Sequence, residues 1–382
     1  MTGRLPLALA ACTALTLAAA CSDAPDPLTP PEVAASLSNA PAELGSTVFD
    51  LAANPDGSLL AGEIFTGNVV ELRKGETALA GEGLFGVTGL APVGRGNTLV
   101  LTGGGFGLPA ELENKLFRMS RGGERMVADL GLFEETVNPD QVWNTLPPES
   151  NAYNVVGLGG GAALVADAAG NSVVHVATDG TMDWVAVLTP QLAETQYLKD
   201  FVGCPESAAP FCGLPVAIPA QPVATSVALG PDGYAYVGEL TGFPATPGIS
   251  RVWKVSPDAR QVLCPSADCT QVLGGLTSVI DLEFGPDGLL YVTELDALGW
   301  LAIEIVGGAV AGGQVKACDV DTGSCEVVAQ GLSLPLAFTF DAGTGRLYID
   351  GAEVPVPMDY NTTSIDLTDG LVVLGQEQDS VG

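Results

Sequence analysis

The stretch Asp281–Glu294 reads DLEFGPDGLLYVTE: an apolar run, a Pro-Asp-Gly turn, a second apolar run and an acid to close it. Pro presets the first turn position and Gly supplies a positive φ, so the unit reads as a β-hairpin. Upstream, SVALGPDGYAYVGE spans Ser226–Glu239 and DLAANPDGSLLAGE spans Asp50–Glu63. NVVGLGGGAALVAD, Asn154–Asp167, keeps the strands with a degenerate turn. Val87–Thr102, with a GRGN turn, and Pro335–Asp350, with DAGTGR, bring the copies to six.

A third strand follows each hairpin, as in SVVHVATDG (Ser172–Gly180) and RVWKVSPD (Arg251–Asp258), and then a weaker fourth, such as DWVAVL (Asp183–Leu188). Helical periodicity is nearly absent. Six units of this kind predict an all-β chain folded as a six-bladed β-propeller with four antiparallel strands per blade. One such sheet cannot bury both faces alone, and a ring of six can. An open sandwich is the rival. The longest inserted loops lie at Gly131–Ala152 and Pro190–Val223.

Outside the repeats, the first twenty residues read as a leader. Arg4 precedes an apolar run, and Ala18-Ala19-Ala20 stands directly before Cys21. This predicts a lipoprotein signal peptide over 1–20, lipidation at Cys21, a disordered tether over 21–45 and the propeller over 46–382. Ordinary secretion with a chance cysteine is the alternative. The expected location is the periplasm or cell surface, with the membrane reached through the lipid anchor only.

The chain carries 45 acidic and 14 basic side chains, a net charge of −31. Such a surface repels nucleic acid and anionic headgroups. The expected partner is a small molecule or an envelope protein, not nucleic acid. Six of the eight cysteines remain in the body as close pairs: Cys204 and Cys212, Cys264 and Cys269, Cys318 and Cys325. Export makes three local disulfides the expectation. Zinc is the rival, and one histidine in the chain leaves little for a mixed site.

The repeats also space polar residues. Asp50 and Glu63, Asn154 and Asp167, Ser226 and Glu239, Asp281 and Glu294 stand at matching places in four copies. With a two-residue turn, the members of each pair would face one another at one face of the ring. Opposed carboxylates are unfavourable in a sheet unless a cation or donors relieve them. One reading is therefore calcium held by Asp50, Glu63, Asp281 and Glu294. The other is architectural, with acids capping strand turns, and repetition in most blades favours it. A type I turn with a bulged glycine would shift the pairing by one and weaken the metal reading.

The single histidine, His175, lies in a third strand away from the channel, which makes a Ser-His-Asp triad improbable. GGGFG, Gly103–Gly107, has no helix after it to hold a phosphate. Asp319, Asp321 and Gly323 faintly resemble a calcium loop, with a plain hairpin tip as the simpler reading.

The segments ESNAYNVV (Glu149–Val156), VADAAGN (Val165–Asn171), TSVALGPDGYAYVGELTGFP (Thr225–Pro244) and SVIDLEFGPDGLLYVTE (Ser278–Glu294) resemble the ScyD/ScyE family of exported proteins. That resemblance implies a propeller of the NHL or regucalcin type over roughly Val48–Tyr348, and it implies an architecture more than a reaction. Three functions compete. The first is ligand or partner binding on an acid-lined channel face. The second is a calcium-dependent propeller hydrolase or lactonase, with Glu63, Asn154, Asp167, Glu239, Asp281 and Glu294 as candidate ligands. The third is a pure scaffold. The leader makes one outcome testable. Cys21→Ser should yield unprocessed protein or protein released by washing, and recovery of unlipidated mature wild type with another N-terminus would refute lipidation.

Overall fold

The computed structural model describes Leu44 and residues 46–353, apart from 74–75, 106, 208 and 342–344, together with the strand at Asn361–Leu367. The leader, Cys21, most of the tether and the rest of the C-terminal segment lie outside the described residues. Among the described residues no helix is long and apolar enough to cross a membrane.

Strands β1 (Val48–Ala53), β2 (Leu59–Glu63), β3 (Val69–Arg73) and β4 (Glu76–Gly81) form the first blade. The second is β5 (Val87–Gly94), β6 (Asn97–Thr102), β7 (Lys115–Ser120) and β8 (Gly123–Asp129). Helix α1 (Leu130–Val137) and a 3-10 turn (Pro139–Val142) lead to the third: β9 (Ala152–Gly157), β10 (Ala163–Asp167), β11 (Ser172–Val176) and β12 (Met182–Leu188). A two-stranded sheet follows, β13 (Gln191–Glu194) with β14 (Ala217–Ala220), and between them lies α2 (Gln196–Phe201).

The fourth blade starts with β15 (Ala224–Leu229), β16 (Ala235–Glu239) and β17 (Ser250–Val255). Next, β18 (Val262–Cys264) crosses to pair in parallel with β12, and β19 (Cys269–Leu276) returns to complete the blade. The fifth is β20 (Val279–Phe284), β21 (Leu290–Glu294), β22 (Gly313–Asp319) and β23 (Ser324–Leu332), with α3 (Trp300–Val306) between β21 and β22. The last sheet has three strands, β24 (Pro335–Phe340), β25 (Leu347–Glu353) and β26 (Asn361–Leu367). The fold is thus an antiparallel all-β propeller with five complete blades. The expectation of six four-stranded blades is corrected, since the final sheet has three strands among the described residues.

The ring follows from burial. Successive inner strands β1, β5, β9, β15, β20 and β24 pack side by side, and β24 returns to β1. In β2, LLAGE is buried throughout. Leu60 enters the core between the first two blades, with Leu90 and Val100, whereas Ala61 packs with Leu51 and Ala337 on the other side. One strand therefore feeds two cores, which is why the second strands read as unbroken apolar runs. Trp253 and Val237 pack against Leu164 and Val173 of the third blade in the same way.

The Pro-Asp-Gly turn takes the bulged geometry. Ala53 pairs with Leu59, Gly57 has φ +82° and its N–H bonds to Asn54 O at 3.0 Å. Asp56 Oδ1 accepts from Ser58 N at 3.1 Å, and Asp232 and Asp287 do the same for Tyr234 and Leu289. This turn shifts the register by one, so Asp50 pairs with Gly62 and a further bulge puts Val48 opposite Glu63. The facing Asp50–Glu63 and Asp281–Glu294 pairs expected from the spacing are therefore absent. Asp281 pairs with Thr293 and Glu294 with Val279.

Disulfides join Cys204–Cys212, Cys264–Cys269 and Cys318–Cys325, as the spacing predicted. The last closes the β22–β23 tip, where Asp319 accepts from Asp321 N and Thr322 N at 2.9 and 3.1 Å. Asp319 thus acts as a turn cap.

The bulged turn generates a clean test at Gly288. Its φ is +82°, and an added Cβ would meet nothing within 4 Å, so only backbone strain opposes substitution. Gly288→Ala should cost about 1–2 kcal/mol and Gly288→Asn clearly less, because Asn tolerates the left-handed region. Urea unfolding of both variants checks this, and equal losses would refute the turn geometry.

Candidate functional site

The eight polar candidates separate into two groups, and the bulge in each inner strand is the reason. Just after the bulge stand Asp50, Gly89, Asn154, Ser226, Asp281 and Ala337. Inner strands belong to different sheets, so their inward N–H and C=O groups have no ladder partner and need one. The long polar residues of alternate blades supply it. Asp50 accepts from Leu90 N, Asn154 from Val227 N at 3.1 Å and Asp281 from Phe338 N at 3.2 Å, each across to the next blade. Two of the intervening blades use the bulged residue instead: Thr88 and Thr225 donate to Ala152 O and Val279 O, both at 2.7 Å. Ser226 Oγ is buried without a partner among the described residues.

The acids ending the second strands are no more than 1 % exposed and serve the opposite, loop-bearing face. Glu63 accepts from Thr66 Oγ1 and from Asn68 Nδ2. Asp167 accepts from Ser150 Oγ, Asn151 N and Gly170 N between 2.6 and 2.9 Å. Arg251, Trp253 Nε1 and Thr241 bond to Glu239, and Thr277 N, Gln314 and Lys316 bond to Glu294. These four are structural acceptors, the architectural reading. Asp50, Glu63, Asp281 and Glu294 do not come together. Among the described residues no group of three or more His, Cys, Asp or Glu is placed to hold a metal ion.

What remains is the channel. A cavity of about 390 Å³ is lined by the later halves of the inner strands. Its polar lining is Asp50, Asn154, Asp281, Glu283 and Thr339, with no Lys or Arg. At the level of the bulges, the Phe49 and Tyr153 rings meet edge to face, with centroids 5.1 Å apart. Glu283 is a lining residue that the spacing of the repeats does not mark. It lies two places after Asp281, so the strand turns both toward the same neighbour, and the cue was its break with the repeat. The equivalent positions are Ala52, Ala91, Val156, Ala228 and Thr339.

Asp281 raises the proton affinity of Asp50 and Glu283, and Glu283 raises that of Asp50. Burial, then the charge of Asp281, pushes Glu283 up to about 8, against Thr339 and the Phe340 N–H, which favour its ionised form. Burial pushes Asp281 up to about 6, tempered by the Phe338 and Leu282 N–H groups. Asp50 is raised well above the usual carboxylate range by burial first, then by Asp281. Burial and the charges of Asp281 and Asp50 also raise the Tyr153 phenol. This arrangement can bind protons or exchange them for a ligand's positive charge. His175 sits on β11, half-buried and outside the cavity lining, lowered by burial and by Arg260.

No protein-family model and no curated protein sequence matches the chain. Solved structures do resemble it. A putative gluconolactonase aligns at 12% identity over 87% of this chain and 92% of its own, with a TM-score of 0.50. A gluconolactonase from Xanthomonas campestris aligns at 13% identity over 81% and 87%, with a TM-score of 0.49. An inactive virginiamycin B lyase from Staphylococcus aureus aligns at 12% identity over 89% and 88%, with a TM-score of 0.47. At such identities the first likeness shows the fold alone, and the two lower scores carry no argument.

The channel acids make stability pH-dependent. The unfolded chain loses the Glu283 proton near pH 4.5, whereas the folded chain keeps it to about 8. Its contribution is therefore full below 4.5 and lost as pH rises through 8. Glu283→Gln should remove about 1–3 kcal/mol of the stability decline between these limits, the range allowing for screening by channel water. Unfolding curves across that range check it, and unchanged slopes would refute the coupling.

Proposed function

We propose that this protein is an exported, lipid-anchored binding propeller that takes a small, positively charged organic ligand into its acid-lined channel. The observation that carries this reading is Glu283. The repeated acids recur with the donors they hold, whereas Glu283, which takes Thr339 and the Phe340 N–H, is an acid set where four of the other five copies have Ala or Val. It crowds Asp50 and Asp281 in a cavity without a cationic lining residue. A ligand ammonium group relieves that crowding by replacing protons. The cavity, at about 390 Å³, has the size of a small-molecule site.

In this reading β24–β26 counts as a sixth blade and closes the channel wall. In the same reading Cys21 holds the molecule in the cell envelope, and the segments resembling ScyD/ScyE are taken as kinship with that family. The calcium-dependent hydrolase or lactonase is the weaker fit, because Glu63 and Glu294 are occupied elsewhere by hydrogen bonds.

Isothermal titration of the full chain tests this with spermidine, calcium chloride and glucose as probes at constant ionic strength. Spermidine should bind saturably, and Glu283→Gln should weaken it about tenfold, as expected for losing a buried charge-assisted contact. Absence of saturable spermidine binding, or binding indifferent to Glu283→Gln, would overturn the proposal. Saturable calcium binding abolished by Glu283→Gln would restore the metal reading in its place.

A further inference from the structure

A second set of carboxyls lies at the loop-bearing face. Glu134, on α1, is 2 % exposed, and its Oε2 is buried without a hydrogen-bond partner among the described residues. The charges that face it are both negative. Asp140 comes from the 3-10 turn after α1, and Asp167 from the end of β10. A Cβ on Gly170 would lie 2.8 Å from Glu134 Oε2 and 3.1 Å from Asp167 Cγ, so both carboxyls converge on that backbone. Asn138, its amide turned as its neighbours require, donates to Glu134 Oε1 at 3.2 Å and to Asp140 Oδ1 at 2.9 Å. Lys115, the cation near the start of α1, is taken by Asp129 at 2.7 Å.

The donors divide these three acids. Asp167 receives Ser150 Oγ, Asn151 N and Gly170 N, and Asp140 receives Asn144 Nδ2 and Asn171 Nδ2 at 2.9 and 2.7 Å. Hydrogen bonds of this kind favour the ionised form. Glu134 Oε2 has none, so a proton entering the cluster is held best there. We propose that Glu134 carries a proton that fastens α1 and its following turn onto the third blade, making this insertion a pH-operated latch.

The direction of operation follows. Burial, then the charges of Asp167 and Asp140, pushes Glu134 up to about 8. Below that pH the carboxyl is neutral and α1 stays docked by Leu130 and Phe133, which sit in the core shared with the third blade. Above it, three like charges share a buried space with no cation. The least costly relief is to swing α1 outward into water. Because α1 connects β8 to β9 on the loop-bearing face, opening leaves the inner strands and the channel carboxyls in place.

Hydrogen exchange of the full chain at pH 6 and pH 9.5, corrected for intrinsic rates, tests the latch. Amides of α1 and the following turn should lose about tenfold more protection at the higher pH than those of β6, β10 and β16, which fall only with the global stability that the channel acids set. Glu134→Gln should hold α1 at its low-pH protection throughout. Should that variant fail to fold, Asp140→Asn serves instead. It removes one facing charge and should therefore shrink the loss of α1 protection at pH 9.5. Wild-type α1 protection that is flat with pH would overturn the proposal. So would a Glu134→Gln response matching wild type, an Asp140→Asn loss at pH 9.5 as large as wild type's, or an α1 loss no greater than that of the blades.

Discussion

A sheet with apolar side chains on both faces must find cover on both, and every other feature of this chain accommodates that demand. The core is a series of clusters between neighbouring blades, fed from two sides by alternate residues of each strand. Cover on both sides of every sheet requires closure, and closure brings six inner strands side by side with their inward backbone groups unpaired. The polar positions at the bulges answer that second requirement. Carboxylate or amide acceptors in the odd blades and threonine hydroxyls in two even blades stitch each inner strand to the next.

This division explains why repeated acids mislead. Copies recur because each blade has the same orphan groups to satisfy. The second-strand acids satisfy the return loops by the same logic, and Thr102 does it with a hydroxyl where the second blade lacks the acid. A residue that breaks the repeat answers no shared need. Glu283 is such a residue, and its Thr339 neighbour is the other polar departure at that position. The chemistry of the channel is thus concentrated in the walls of the fifth blade and the sheet after it.

The two faces of the ring are built differently. Tight bulged turns form one, so the channel-lining halves of the inner strands are short and regular. The other bears α1, α2, α3 and the β13–β14 pair, tied together by contacts such as Tyr197 Oη to Leu298 O and Trp300 Nε1 to Thr241 O. The crossing of β18 to β12 covers an edge strand of the third blade, and Cys264–Cys269 pins its return. Buried carboxyls occur on both faces, but with different surroundings. The channel acids share a cavity, whereas Glu134 is packed against backbone.

The sequence by itself determined the all-β class, the hairpin repeat and the three disulfides, because these depend on neighbours a few residues apart. Strand alternation, a glycine at positive φ and cysteines five to eight places apart are local facts. It also marked Asp50 and Asp281, although hairpin spacing pairs them with Glu63 and Glu294 instead of Gly62 and Thr293. Only the tertiary structure decided which acids meet. A one-residue shift at the turn and a bulge at the strand start sent Asp50 and Asp281 toward the axis and Glu63 and Glu294 into their own blades. The grouping of Glu283 in the fifth blade with Asp50 in the first, and of Glu134 with Asp167, depends on how the ring closes. Electrostatic coupling acts through space, and no spacing along the chain encodes a distance that exists only after closure.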